Sequence, residues 1–458
     1  MGRIRDVVYR AEAPSEQPGK LFGFALAAIV VGVATGLMAG SFRLALDWLG
    51  SARTHLLTQA QGHSGLGLVG AVLICGAAAA AAAALVHRIE PHAEGSGIPR
   101  VEAVVEGRTP PGSARILPVK YLGGLLTMGA GLALGREGPS VQMGGNIAII
   151  VSRVLRRNRY DLRMLVAAGA AAGLATAFSA PIAGGVFVLE ELVKRFHPRT
   201  AVATLLASAA GFMSADLLLG GSSFKIFSAP PMRDPRMSDV PLVVVVGLLA
   251  GAVGMLYNRA VMASLKFVDA SRLPREVRAG VIGGLVGLVG YYAPSMVGGG
   301  DQITQRALFG AGSIAVVAGV LVLRFVLSVV SYAAATPGGI FAPMLVIGSH
   351  LGLLVGLVGR ALIPSMSPEP AALALIGMAA FFTATVRAPI TGIVLATELT
   401  GVTNQLPPTL GACAVAMLVA MMLRCTPIYD ALTTRAAAAA QQNADEAPAH
   451  YNPLSPSG

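Results

Sequence analysis

Four clusters of glycine and proline hold the residues of this chain that could do chemistry: Gly95-Ser96-Gly97-Ile98-Pro99, Gly135-Arg136-Glu137-Gly138-Pro139, Ser179-Ala180-Pro181 and Gly338-Gly339-Ile340-Phe341-Ala342-Pro343. Each reads as a loop running into a helix start, because proline is well tolerated in the first helical turn. A helix start presents unpaired backbone N–H groups and the positive end of the helix dipole. Several such ends aimed at one point make an anion site out of partial charges. That suits an ion that must also leave, since a full Lys or Arg partner would hold it more tightly. Any one cluster reads more readily as an ordinary helix break; the set of four points to a site.

Glu137 is the sharpest residue, an ionisable group inside a cluster and flanked by apolar segments. Such a group at membrane depth is a functional candidate by default. Its carboxylate can compete with a small anion for the same N–H donors, and protonation would free the seat. The plainer alternative is an ion pair with Arg136, although adjacent helical residues rarely face each other. Glu190 and Glu191 close an apolar run just before Lys194, Arg195 and Arg199. One of them could relay protons between the cytoplasm and the core; equally, both could be surface carboxylates paired with those cations. Ser96 and Tyr429 supply hydroxyl donors and are unremarkable by residue type alone. A hydrolase built on Ser96 with His92 as base is an alternative of another class, but no Asp or Asn pattern supports it.

The elements that must position these residues are membrane helices. Of 458 residues, 54% are hydrophobic and 12% charged, with a mean hydropathy of +0.69. Soluble domains carry roughly 25% charged residues, so a water-soluble enzyme and a disordered chain are both excluded. The 56 glycines and 28 prolines imply helices that are broken, tilted or closely packed. A net charge of +11 would suggest nucleic acid in a soluble protein. Here much of it sits in a short stretch, Arg153, Arg156, Arg157, Arg159 and Arg163, and reads as cytoplasmic anchoring. The three cysteines imply no disulfide framework and the seven histidines show no metal-ligand spacing. Arg3, Arg5, Arg10 and Lys20 interrupt any signal-peptide pattern. Apolar runs such as Leu21 to Trp48, Met164 to Leu189 and Val240 to Val268 exceed the roughly 20 residues a span requires, which suggests pairs of short helices turning inside the membrane. The eight alanines from Ala77 to Ala84 read as a helix face for close approach.

The chain repeats itself. Gly169, Ala180-Pro181-Ile182-Ala183-Gly184 and Glu190 recur as Gly377, Ala388-Pro389-Ile390-Thr391-Gly392 and Glu398, each 208 residues on. Gly135, Pro139 and Gly144 fall on Gly339, Pro343 and Gly348 at an offset of 204. The expected organisation is an N-terminal segment 1–20, a first repeat 21–211, a linker 212–237, a second repeat 238–425 and a tail 426–458. Paired halves with Gly/Pro-interrupted segments at matching positions point to a transporter whose site lies between them.

These blocks resemble the CLC family of chloride channels and chloride/proton antiporters, whose three signatures stand in order as GSGIP (Gly95–Pro99), GREGP (Gly135–Pro139) and GIFAP (Gly339–Pro343). The likeness runs from about Leu21 to Tyr429. It implies an all-α integral membrane fold with an inverted-topology repeat of tilted and broken helices, two identical subunits each carrying a pore, and both termini in the cytoplasm of a bacterial inner membrane. Carried over by position, Ser96 would give a hydroxyl to the central chloride and Tyr429 a second one. Ile340 and Phe341 would offer backbone N–H groups. Glu137 would be the external gating glutamate and Glu191 the internal proton glutamate of the antiporters. The implied activity is chloride/proton exchange with no cofactor, no enzymatic chemistry and no nucleic acid; an uncoupled chloride channel of the same fold is the alternative. The tail after Tyr429 is too short for the nucleotide-binding regulatory domains of many eukaryotic members. The serine of GSGIP favours chloride over nitrate.

Overall fold

The computed structural model describes residues 18–62, 64–194, 197–221, 226–364 and 368–445. Most of segment 1–20, Arg195 and the end of the tail lie outside them. Among the described residues the chain forms seventeen α-helices and isolated β-bridges. They are α1 (Pro18–Gln61), α2 (Ser64–Ile89), α3 (Ile98–Val105), α4 (Ile116–Gly129), α5 (Glu137–Val154), α6 (Arg159–Phe178), α7 (Pro181–Phe187), α8 (Pro198–Leu218), α9 (Val240–Ala270), α10 (Arg275–Tyr292), α11 (Asp301–Leu308), α12 (Ile314–Tyr332), α13 (Phe341–Leu362), α14 (Pro370–Val386), α15 (Pro389–Thr400), α16 (Leu406–Met422) and α17 (Ile428–Asp445). A π-helical turn, Val188–Leu192, continues α7. Seven of them, α1, α2, α6, α8, α9, α12 and α13, are long and apolar enough to cross a bilayer by length and composition.

All four glycine–proline clusters become loop-to-helix junctions, opening α3, α5, α7 and α13 with proline in the first turn. The long apolar runs divide differently from the expected pairs of short helices. Residues 21–48 lie within the single 44-residue α1 and 240–268 within the 31-residue α9. Neither has a proline beyond its first turn. An interior glycine costs about 1 kcal/mol, less than leaving backbone groups unpaired in lipid, so these helices run on. Only the run from 164 to 189 breaks, where Ser179 takes φ 49° ahead of Pro181. The glycines of α1 serve packing instead: Gly32, Gly36 and Gly40 lie against the backbone of Ala207, Gly211 and Ala215 of α8, a small residue every fourth position on both helices. The polyalanine face of α2 does the same for α10, with Gly283 seated against Cys75 and Ala79.

The repeat is visible in matching contacts. Gly144 of α5 meets the Gly169 carbonyl of α6, and Gly348 of α13 meets the Gly377 carbonyl of α14, so no β-carbon fits at either crossing. The halves also cap each other. Glu398 of α15 accepts hydrogen bonds from the Ile182 and Ala183 N–H groups opening α7 (3.0 and 2.6 Å). Glu190 accepts from the Ile390 and Thr391 N–H groups opening α15 (3.1 and 2.8 Å). Reciprocal contacts between equivalent residues are what a two-fold relation produces. The boundary expected at 211 falls inside α8, which runs to Leu218 because its apolar pattern continues. Residues 226–236 then pass over the second half, where the Phe227 N–H reaches the Leu399 carbonyl and Asn404 the Met232 carbonyl. The tail is helical from Ile428 to Asp445.

Candidate anion and proton site

The three pentapeptide loops are sewn to one another by backbone. The Gly135 N–H donates to the Gly339 carbonyl (2.7 Å) and the Gly339 N–H to the Gly135 carbonyl (2.8 Å). The Gly95 N–H reaches the Thr336 carbonyl and the Gly338 N–H the Gly95 carbonyl. Two short bridges therefore bring the starts of α3, α5 and α13 together from both halves of the chain. The fully buried Lys120 of α4 fastens the first loop by donating to the Ala93 and Gly95 carbonyls (3.0 and 2.6 Å). Non-helical backbone at this depth survives because it is buried and paired.

Ser96 is buried under the first turn of α5, and a β-carbon on Gly138 would strike its backbone. Its Oγ accepts the Ile98 N–H (3.3 Å), and Tyr332 of α12 lies within hydrogen-bonding reach. His92 is turned away and pairs with Glu90 Oε1 (2.7 Å), so the serine–histidine alternative finds no geometry. Glu137 is the first residue of α5, and its carboxylate folds back over Gly135 and beside Gly339. The N–H groups of Glu137 and Ala342 face it. It thus sits across two helix starts, one from each half. Its Oε2 is buried without a partner. Arg136 points elsewhere, to Asp301 (3.3 Å), Asp47 (3.8 Å) and the Ala177 carbonyl (3.0 Å). The adjacent-residue ion pair is not made.

Below this point Ile340 and Phe341, both fully buried, form the start of α13. The Phe341 ring touches those of Phe382, Phe178 and Phe187, with centroids at 4.4, 5.0 and 5.9 Å. Phe187 in turn meets Tyr429 edge-on at 6.4 Å. Tyr429 is completely buried, yet its hydroxyl makes no hydrogen bond. Most buried polar atoms in proteins are hydrogen-bonded; twenty side-chain atoms among the described residues are not. Glu137 Oε2 and Tyr429 Oη are both of this kind, and Tyr429 belongs to this aromatic cluster.

Glu191 and Glu190 have separate fates. Glu190 caps α15 rather than pairing with Lys or Arg. Glu191, in the π-helical turn, is buried and its Oε1 has no partner. Around it stand Lys194, Asp430 and Glu102. The two carboxylate sites belong to opposite faces of the molecule. Arg157 donates to the Gly23 carbonyl near the start of α1 (2.6 Å), Arg163 lies beside Gly107 just after α3, and Lys194 joins Glu102 to Asp430. Glu137 instead looks into a cavity of about 640 Å³ lined by Asp47, Arg53, Asp301 and Ala342. Gly23 and Arg53 stand about 45 Å apart along α1 at 1.5 Å per residue.

A protein-family model for voltage-gated chloride channels matches residues 77–421. The H(+)/Cl(-) exchange transporter ClcA of Salmonella paratyphi A is 34% identical over 98% of this chain and 95% of its own length, and that of Salmonella typhimurium gives the same figures. The chain belongs to the voltage-gated chloride channel (CLC) family. Its fold agrees closely with the crystal structure of a slow cyanobacterial Cl−/H+ antiporter, with a TM-score of 0.85, 33% identity, and coverage of 91% of this chain and 98% of the other. A CLC-type fluoride/proton antiporter shares the fold at a TM-score of 0.74 and 22% identity. The protein is a multi-pass membrane protein with the all-helical architecture of CLC transporters.

In this CLC chain several site-forming residues escaped the sequence reading. Lys120 had a signal, a lone cation inside the apolar run from Leu117 to Leu134. Asp47 and Asp301, which hold Arg136, and Glu102 and Asp430, which meet Lys194, had none, because each pair joins positions far apart in sequence. All three cysteines are free and buried.

Proposed function

We propose that this chain is a secondary transporter exchanging chloride for protons, with Glu137 as the external gate and Glu191 as the internal proton acceptor. The observation that carries the reading is the Glu137 carboxylate, buried between helix starts from both halves with one oxygen unpartnered. Donors facing a carboxylate there suit a halide equally well once the carboxylate is protonated and swings away. The inner halide position falls to Ser96, the Ile340 and Phe341 N–H groups and the unpaired Tyr429 hydroxyl. Chloride is bound as substrate, and no cofactor takes part. Relatives carry the names of H(+)/Cl(-) exchangers and of a Cl−/H+ antiporter, which favours exchange over an uncoupled channel, as does a second buried carboxylate on the opposite face.

The positive-inside rule favours a cytoplasmic location for the arginine-rich face with Gly23, Arg157 and α17, and with it both termini on the cytoplasmic side of a bacterial inner membrane. Two copies pair, as the family resemblance implies. The decisive experiment is chloride-driven proton movement in proteoliposomes with both ions recorded. The wild-type protein drives protons uphill, and Glu137→Gln passes chloride without moving protons. Absence of uphill proton movement in the wild-type protein returns the reading to a channel.

A further inference from the structure

Lys194 is bound on two sides. Its Nζ donates to Glu102 Oε1 of α3 (3.0 Å) and to Asp430 Oδ1 of α17 (2.7 Å). Glu102 is itself buried, with its other oxygen accepting from the Thr433 hydroxyl of α17 (3.2 Å). Lys194 also takes φ 53°, a left-handed conformation usually given to glycine at a helix end. A long cation held there, fixed by two carboxylates and set beside a third that has a partnerless oxygen, is more than a helix terminator.

We propose that Lys194 is a positioning residue for the inner proton step: pinned between α3 and α17, it sets the charge balance that Glu191 feels and keeps the wall around that carboxylate closed. This rests on Glu191 being the internal proton acceptor. Coulomb's law gives the direction of each neighbour: Lys194 favours the Glu191 carboxylate, whereas Glu102, Asp430 and Glu190 oppose it. Of the other elements at this turn, α7 carries no charged residue. In α6, Arg159, Asp161 and Arg163 lie near its start, with Asp161 tied to Arg199 and Arg157. Arg108 lies behind Glu102 at 3.5 Å, and Tyr429 of α17 couples to Glu191 from the core side. Among the described residues Lys194 is thus a cation beside Glu191 that also reaches solvent, with its side chain 38% exposed.

The test uses the purified full-length protein in proteoliposomes, recording proton and chloride flux together while the internal pH is varied. Lys194→Met should move the midpoint of proton flux toward higher pH by about half a unit, the order expected for removing one nearby charge in a water-like dielectric. Glu102→Gln should move it toward lower pH, and Lys194→Arg should restore the wild-type profile. Loosened packing would move Lys194→Met and Glu102→Gln the same way, so shifts of one sign, or no shift in either, overturn the proposal. Should Lys194→Met fail to fold, Asp430→Asn joins Glu102→Gln: both midpoints fall if the proposal holds, and static midpoints overturn it. Glu191→Gln run alongside separates the two ideas. Intact coupling in that variant removes the reading of Glu191 itself, while lost coupling with static midpoints removes only Lys194.

Discussion

Two buried tyrosines show how a hydroxyl reveals its purpose. Tyr257 shares a 2.6 Å hydrogen bond with Ser328, whereas the equally buried Tyr429 hydroxyl has none. A buried hydroxyl without a partner costs about 1–3 kcal/mol, a cost that persists where a ligand uses the group. Tyr429→Phe should therefore leave the apparent melting temperature unchanged or raised while weakening chloride binding severalfold by titration calorimetry. Tyr257→Phe should do the reverse, losing about 1 kcal/mol of stability with chloride affinity intact. A Tyr429→Phe protein that binds chloride like the wild type takes that residue out of the site. Lys120 makes a harsher case. Its two carbonyl partners sit in the Ser96 loop, so Lys120→Met leaves buried acceptors unpaired and should lower both stability and chloride affinity. At this scale Glu137 was legible, being a carboxylate in a proline-capped apolar context. Which of Glu190 and Glu191 is free was not legible from the residues, because it depends on which one the other half of the chain occupies.

Among the elements, the short helices at the breaks matter more than the long spans. α7 and α15 begin with prolines and small residues and have no cap of their own; α7 borrows Glu398 from α15, and α15 borrows Glu190 from the π-helical turn that continues α7. Charge-assisted caps of this kind contribute about 1–2 kcal/mol. Glu190→Gln and Glu398→Gln should thus lower the apparent melting temperature by similar amounts in detergent, and Glu191→Gln should not. Unequal losses would show that the reciprocal contacts are not equivalent. The glycine crossings are stricter: Gly144→Val or Gly348→Val meets facing backbone, and neither should yield folded protein by size-exclusion profile. The offsets of 204 and 208 residues made these pairs readable in sequence. The break pattern of the spans was less readable, since a glycine marks a kink in one helix and a close crossing in another. In α1 the neighbour α8 decides for crossing.

For the whole molecule, the prediction concerns sidedness. Asp47 lines the cavity leading to Glu137, and Asp430 stands at the Glu191 end, with side chains 59% and 42% exposed. The three native cysteines are buried, so single introduced thiols can be read against them. In right-side-out vesicles a membrane-impermeant thiol reagent should label Asp47→Cys and spare Asp430→Cys, and inverted vesicles should give the opposite. Labelling of both from one side would place the two carboxylates on a common face and end the proposed relay.

Composition and hydropathy alone determined that this chain lives in a bilayer, because 12% charged residues cannot cover a water-exposed surface of this size. Internal repetition determined that it has two related halves, and proline after glycine determined where helices start inside them. Those are local properties, set by dihedral preference and by the spacing of apolar residues. Only tertiary structure decided that Gly135 pairs with Gly339 and Gly95 with its partners near Pro337, that Glu190 is spent as a cap, and that Lys194 stands between Glu102 and Asp430. Each of these joins positions roughly 90 to 240 residues apart, the first three across the relation between halves, and no periodicity along a single chain encodes which loop another will meet.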